Sequence, residues 1–382
     1  MATKSTNTQG NPYHDEQGRF TTKDGLSTGG NFSLTFDLGA IKQFASGAKP
    51  SEPVQTEAVQ KQPKTKIDSF KSLSDLEAYG NTIFDKTNIV HFDPKTKIEV
   101  AKDVTKALEA VSNDFGMALG GIMSFGTNYN SMGQKEMQKN VNDFVNRFFN
   151  PNNSIITDLL IKRGKDTETI KSIRQALQTI DESLQQMKMS SGTLGYTQYQ
   201  QNIHNTETGN EIMQMLTCVM LNKTRAQKVN GFATNYDSEE ERKFYQEEIM
   251  LHKKNKAGAV FDTAAHELGH AVSRFLIPFM TKSEKKSLEF MTKTDFSLEK
   301  MKKYIPNKPG WYTTFKGPKS YDTSDIVGAF NEKQVSRYAL YNEQEAYAEA
   351  FADYYGNGEG CSEYNKKIVN FFKKIYNERV IG

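Results

Sequence analysis

Asp262-Thr263-Ala264-Ala265-His266-Glu267-Leu268-Gly269-His270-Ala271-Val272-Ser273-Arg274-Phe275-Leu276 is the stretch whose reading decides the fold. Asp262 or Thr263 can cap a helix that opens there. Leu268, Val272, Phe275 and Leu276 make one apolar stripe at helical spacing, suited to a core. His266 and His270, four residues apart, share a different face, so both imidazoles can reach a single ion. Glu267 sits one step round, close enough to touch a water on that ion without ligating it. With 6 histidines and 46 acidic residues in 382, chance supplies at most about 0.01 matches to HExxH, so the motif calls for an explanation. The bland alternative is a helix whose histidines merely bond neighbouring polar groups. Zinc suits the pair because it takes neutral imidazoles and keeps a fourth position open for catalysis. Such an ion lowers the pKa of its water and polarises a carbonyl, while the carboxylate takes and returns a proton.

Catalytic zinc wants a third protein ligand. The short spacing HExxHxxGxxH is excluded, because Ser273 and Leu276 stand where its glycine and third histidine would be. A later helix offers the alternative, in the run from Tyr338 to Asp353, where Glu345, Glu349 and Asp353 recur every four residues among alanines and aromatics. Apolar flanks imply a partly buried carboxylate stripe, which needs a cation or donors. Glu343 falls on another face and is expected at solvent.

The pair of motifs, HELGHAV at 266–272 and YALYNEQEAYAEAFA at 338–352, resembles the catalytic domain of the anthrax lethal factor family and related zincin domains in phage proteins. That family reads HEFGHAV and then Tyr, six residues, and E-x-x-A-E-A-F, spacings kept here. The resemblance covers roughly 90 residues, from His266 to about Tyr355, and is weaker over 87–126 and 230–260. It implies that His266, His270 and Glu345 bind zinc, that Glu267 is the general base, and that Tyr338 donates to the oxyanion or leaving amine. Glu349 would orient a ligand histidine. Glu349 as the ligand with Asp353 orienting, and Tyr341 in place of Tyr338, stay open. The segment from His270 to Glu345 is longer than expected for the family, and 130–228 has no counterpart in its substrate-recognition parts.

Working outward, residues 1–75 are rich in Gly, Ser, Thr, Asn, Gln, Lys and Pro and read as a disordered arm. Within it Asn11-Pro12-Tyr13-His14-Asp15-Glu16-Gln17-Gly18-Arg19-Phe20 resembles a segment of phage head and head-associated proteins, which implies a phage or prophage product. Order is expected near residue 87, with a strand at 88–92 and a helix carrying Val104, Leu108, Val111 and Phe115. A second strand is expected over Leu119–Phe125. Met137, Val141, Phe144, Val145 and Phe148 mark another helix, and Ile170, Ile173, Leu177, Ile180, Leu184 and Met187 form a packing seam. Residues 190–210 read as a polar loop. Segments 231–237 and 248–252 read as a strand pair, and Glu248 to Lys253 could pair with an extended peptide. The expected fold class is therefore α+β: a zincin-like domain over 87–382, interrupted by a mostly helical insertion at about 130–228.

Composition removes other functions. Lys plus Arg number 49 against 46 acidic residues, too even to imply nucleic acid or an anionic membrane as partner. No run of about 18 apolar residues predicts a spanning helix, and MATKSTNTQGNPYHDEQGRF lacks the apolar stretch of a secretory signal. Virion or host-cell cytoplasm is the expected location. Cys218 and Cys361 cannot build a disulfide framework. Two functions follow: a zinc metalloendopeptidase acting on a protein or peptide, or a non-enzymatic virion component that keeps the fold and contacts other virion proteins.

Overall fold

The computed structural model describes residues 66–85, 88–128, 133–150, 154–180, 184, 195–200, 204, 206–223, 259–292, 339 and 343–381. The order begins α1 (Lys66–Ser69), α2 (Leu73–Ile83), β1 (Val90–His91) and α3 (Ile98–Phe115). A 3-10 turn (Gly116–Gly121) leads into β2 (Ile122–Gly126), followed by α4 (Gln134–Phe148), α5 (Ile155–Lys162) and α6 (Thr167–Leu177). Next come β3 (Gly195–Tyr199), α7 (Glu207–Met213), β4 (Thr217–Leu221) and α8 (Ala259–Leu276). Helices α9 (Lys282–Thr292), α10 (Glu343–Asn357) and α11 (Glu363–Tyr376) complete the described chain, with a π turn at Asn377–Ile381.

The fold is mixed α+β. Among the described residues the strands form one sheet in the order β1-β2-β4-β3. β1, β2 and β4 run parallel, and β3 lies antiparallel to β4. Every residue of β2 and β4 is buried, which matches their continuous apolar sequences and inner positions. Side chains cap several helices: Ser72, Ser154, Asp166, Thr206 and Ser362 each accept a backbone N–H from the first turn they precede.

Helix α3 carries Val104, Leu108, Val111 and Phe115 in the core, as their spacing predicts. α4 likewise buries Met137, Val141, Phe144, Val145 and Phe148. Several expectations need correcting. Helices begin at Lys66, inside the stretch read as an arm, because Ile67, Leu76 and Phe84 bury against the rest of the core; residues 1–65 lie outside the described set. The strand expected from Leu119 starts at Ile122. Before it, the backbone of Gly121 approaches the Met215 carbonyl so closely that a Cβ would lie 2.1 Å from it, and a 3-10 turn takes the place of extended chain. Within the seam of 170–187, α6 ends at Leu177, where Gln178 caps it; Leu184 is again helical and buried, and 181–183 and 185–187 lie outside the described residues. Residues 190–210, read as a loop, contain β3 and the start of α7, and the stretch read as a mostly helical insertion supplies two of the four described strands. Helix α8, Ala259–Leu276, already includes the residues ahead of Asp262, because Val260 and Phe261 extend its buried face. The strand pair expected at 231–237 and 248–252 lies outside the described residues.

α8 is the structural centre: it packs on α3, β3, β4 and α10. Phe115 of α3 sits between Phe351 and Tyr376, ring centroids 5.3 and 5.4 Å away, and so joins α3 to α10 and α11. Phe148 and Phe275 meet edge-on at 5.4 Å, joining α4 to α8.

One carboxyl on α3 gives the fold a testable pH dependence. Burial pushes Asp103 up to about 6, against the pull of Lys106 and with Glu99 and Asp68 adding to the rise. From about pH 4 to pH 6 the native state therefore holds more proton than the unfolded chain, so stability falls as pH rises through that window. Asp103→Asn removes this loss: urea unfolding should show the variant more stable than the parent at pH 7, with the gap shrinking towards pH 4.

Candidate metal centre

Two helices build the site. On α8 the apolar stripe Leu268, Val272, Phe275 and Leu276 is wholly buried, which turns His266 and His270 towards α10. On α10 Glu345 and Glu349, one helical turn apart, face back. The contact between these helices is close because its residues are small. A Cβ on Gly269 would lie 2.8 Å from the Phe351 Cβ and 3.1 Å from the Ala348 Cα. Ala265 and Ala352 are equally buried nearby in the two helices.

Glu345 Oε2 lies 3.2 Å from His266 Nε2 and 3.4 Å from His270 Nε2. His266, His270 and Glu345 offer ligand atoms that all lie within 4.8 Å of one another, a group that could hold a metal ion. The imidazole rings stand nearly perpendicular, centroids 4.9 Å apart. On the far side of His266, Nδ1 lies 2.8 Å from Glu349 Oε1. A proton on Nδ1 faces Glu349, which would leave Nε2 to ligate a metal lying between it and Glu345.

The electrostatics call for a cation here. Glu267, Glu345 and Glu349 are 5%, 2% and 5% exposed, and three carboxylates at such depth need positive charge among them. Burial alone would lower the His266 pKa, but hydrogen bonds and charge from Glu345 and Glu349 hold it well above its ordinary value. Burial works against the Glu345 carboxylate too, yet His270 and His266 bring it well below the usual range. A proton on His266 and a divalent ion between the ligands answer the same demand. The donor set, two imidazole nitrogens and one carboxylate oxygen, fits a metal that keeps an open position.

Glu267 is held differently. Thr197 Oγ1 lies 2.7 Å from Glu267 Oε2 and 3.0 Å from the Glu267 carbonyl oxygen, so the hydroxyl can donate to either. Gly195, two residues earlier on β3, leaves room on the other side: a Cβ there would sit 2.6 Å from Glu267 Oε1. Burial raises the Glu267 pKa, with His266, His270 and the Thr197 hydrogen bond opposing. A carboxyl so raised takes up a proton more readily than an exposed glutamate does.

Asp353 continues the stripe in sequence but leaves the site. It takes hydrogen bonds from Ser362 N at 3.0 Å, Asn365 Nδ2 at 2.7 Å and Asn357 Nδ2 at 2.6 Å, with the Cys361 thiol against it. Its hydrogen bonds lie at the start of α11, and of Glu349 and Asp353 it is Glu349 that meets a histidine nitrogen. Glu343 is exposed, as expected. Tyr338 and Tyr341 lie outside the described residues, as do His252 and the Glu248 to Lys253 segment. Thr197 and Gly195 were not singled out in the sequence; the signal available was the β-forming run Tyr196-Thr197-Gln198-Tyr199 inside an otherwise polar stretch. Comparison with protein-family models, with curated proteins and with solved structures finds no match to this chain.

The helix contact makes a direct prediction. Gly269→Ala forces its new methyl against Phe351 and Ala348 and should cost about 1–3 kcal/mol. Gly116→Ala, whose Cβ meets nothing within 4 Å on right-handed helical backbone, should be neutral or stabilise by about 0.4–1 kcal/mol. Thermal denaturation of both variants checks the contrast.

Proposed function

We propose that the chain is a zinc-dependent metallopeptidase with a zincin-like catalytic domain of the lethal-factor-like, glutamate-liganded kind. The observation that carries this reading is the convergence of His266, His270 and Glu345, with Glu267 buried beside them and Glu349 behind His266. A bound zinc would supply Lewis acidity towards a carbonyl and a more acidic coordinated water. His266 and His270 would hold such an ion through ring nitrogens and Glu345 through a carboxylate oxygen. Glu349 keeps the His266 ring in its tautomer and angle, a role common to partners of ligand histidines.

Glu267 acts as the proton carrier. With Thr197 Oγ1 within hydrogen-bond distance of Oε2 to orient the carboxylate, Glu267 accepts the proton of the attacking water and then delivers it to the leaving amine nitrogen. Burial keeps bulk water from competing for that proton and strengthens each interaction around it. Tyr338, by its resemblance to the family's tyrosine, donates a hydrogen bond to the charge that develops on the peptide oxygen. β3 is one of the two outer strands of the described sheet, and its Gly195 and Thr197 lie against the base. An extended peptide laid along this strand would bring its backbone past Glu267.

A metalloenzyme and a virion scaffold that merely keeps the fold differ in measurable ways. Metal analysis of the purified protein should give one zinc per chain, lost in His266→Ala and in Glu345→Ala. Glu267→Gln should keep the zinc yet lower cleavage of a peptide library by about 10²–10⁴-fold. Stoichiometric zinc with no cleavage of any peptide by the parent would overturn the peptidase reading, and hydrolysis undiminished in Glu267→Gln would overturn the assigned base.

Thr197 gives a separate expectation. Thr197→Val removes the hydroxyl on Glu267 at nearly constant shape, so kcat should fall while zinc content stays at that of the parent; Thr197→Ser should restore most of the rate. Steady-state kinetics on the best library peptide, with metal analysis of the same samples, reads both effects.

A further inference from the structure

We infer that Arg274 is a positioning residue of the metal centre, fastening the first turn of α10 to α8 and β3. The inference rests on the metal-centre reading above and adds a part to it. Arg274 follows His270 by four residues, so it continues the face that carries both imidazoles. Its Nη1 donates to Gln214 Oε1 at 2.5 Å, and its Nη2 donates to Gln344 Oε1. The guanidinium also lies over the Tyr199 ring, 4.2 Å from the centroid. One side chain thus touches the loop before β4, the end of β3 and the first turn of α10.

Glu345 needs such a tie. It stands third in α10, within the turn whose N–H groups have no partner inside the helix, and terminal turns are the first parts of a helix to open. A ligand carried there holds its place only if something outside the helix secures the turn. Gln344, the neighbour of Glu345 in the chain, is the point of attachment. The planar guanidinium fork suits two amide oxygens in fixed directions while its face rests on an aromatic ring, which an ammonium cannot reproduce. Tyr199 lies two residues beyond Thr197 on β3, so the same guanidinium steadies the strand that holds Glu267.

The test is Zn2+ affinity, measured by competition with a chromophoric chelator on the full chain, together with the visible absorption of the Co2+-substituted protein and the melting temperature of the metal-free protein. Arg274→Met and Gln344→Ala should each weaken Zn2+ by about ten-fold or more and alter the Co2+ spectrum. The double variant should lose no more than the worse single variant, because both remove one connection. Arg274→Lys, which keeps the charge without the fork, should stay weakened. Gln344 is exposed, so its alanine variant folds whatever the arginine variants do. Parent-like affinity and spectra in Arg274→Met and Gln344→Ala would overturn the inference, as would losses that add and follow a lower melting temperature. A parent that binds no Zn2+ would overturn the metal-centre reading and this inference together, and the parent's own titration distinguishes that case.

Discussion

Glu345 and Glu349 reach His266 and His270 only because α8 and α10 approach closely, and they do so where Gly269 meets Ala348 and the Phe351 Cβ. A glutamate side chain spans a short distance, so a slightly wider separation of the helices would leave each carboxylate short of its imidazole. Gly269 therefore has a mechanical part in the HELGH sequence as definite as that of the histidines. The apolar side of α8 holds the other half of the constraint: Leu268, Val272, Phe275 and Leu276 are fully buried, which fixes the rotation of the helix and aims its polar face at α10.

Burial makes the arrangement chemically meaningful. Three carboxylates and two imidazoles at the centre of a domain are costly unless positive charge is shared among them. The shifts follow that demand, with His266 holding its proton more strongly than usual and Glu345 holding one less strongly. Asp353 resolves the same problem in another way, by taking donors from Ser362, Asn365 and Asn357. Neighbouring carboxylates on one helix thus serve different ends because of what stands opposite each.

The chemistry-bearing residues were legible because spacing on a helix translates directly into a shared face. His266 with His270, and Glu345 with Glu349, could be paired on paper for that reason, and the apolar stripe of α8 stood out by the same period. Choosing among Glu345, Glu349 and Asp353 was not possible from spacing, since all three lie on one stripe and only the contacts across from it separate them. β3 was missed because Gly195-Tyr196-Thr197-Gln198-Tyr199 is short and half polar, and strand pairing with β4 is a long-range event that local pattern does not report. With β3 went Thr197 and its hold on Glu267. Helix α1 was hidden by the polar composition around it, because Ile67 is a lone apolar residue whose burial depends on α3; α2 carries Leu73, Leu76, Tyr79 and Ile83 at helical spacing, a pattern that was legible and lay at the edge of the stretch read as an arm.

X-ray absorption at the zinc edge, on protein reconstituted with one equivalent of Zn2+, addresses the centre most directly. A shell of nitrogen and oxygen at about 2.0–2.2 Å, with the multiple scattering of two imidazoles that vanishes in His266→Ala, is the result expected if His266, His270 and Glu345 hold the metal. A sulfur shell at about 2.3 Å, drawn from Cys218 or Cys361, or a zinc ion surrounded by water alone, would contradict it.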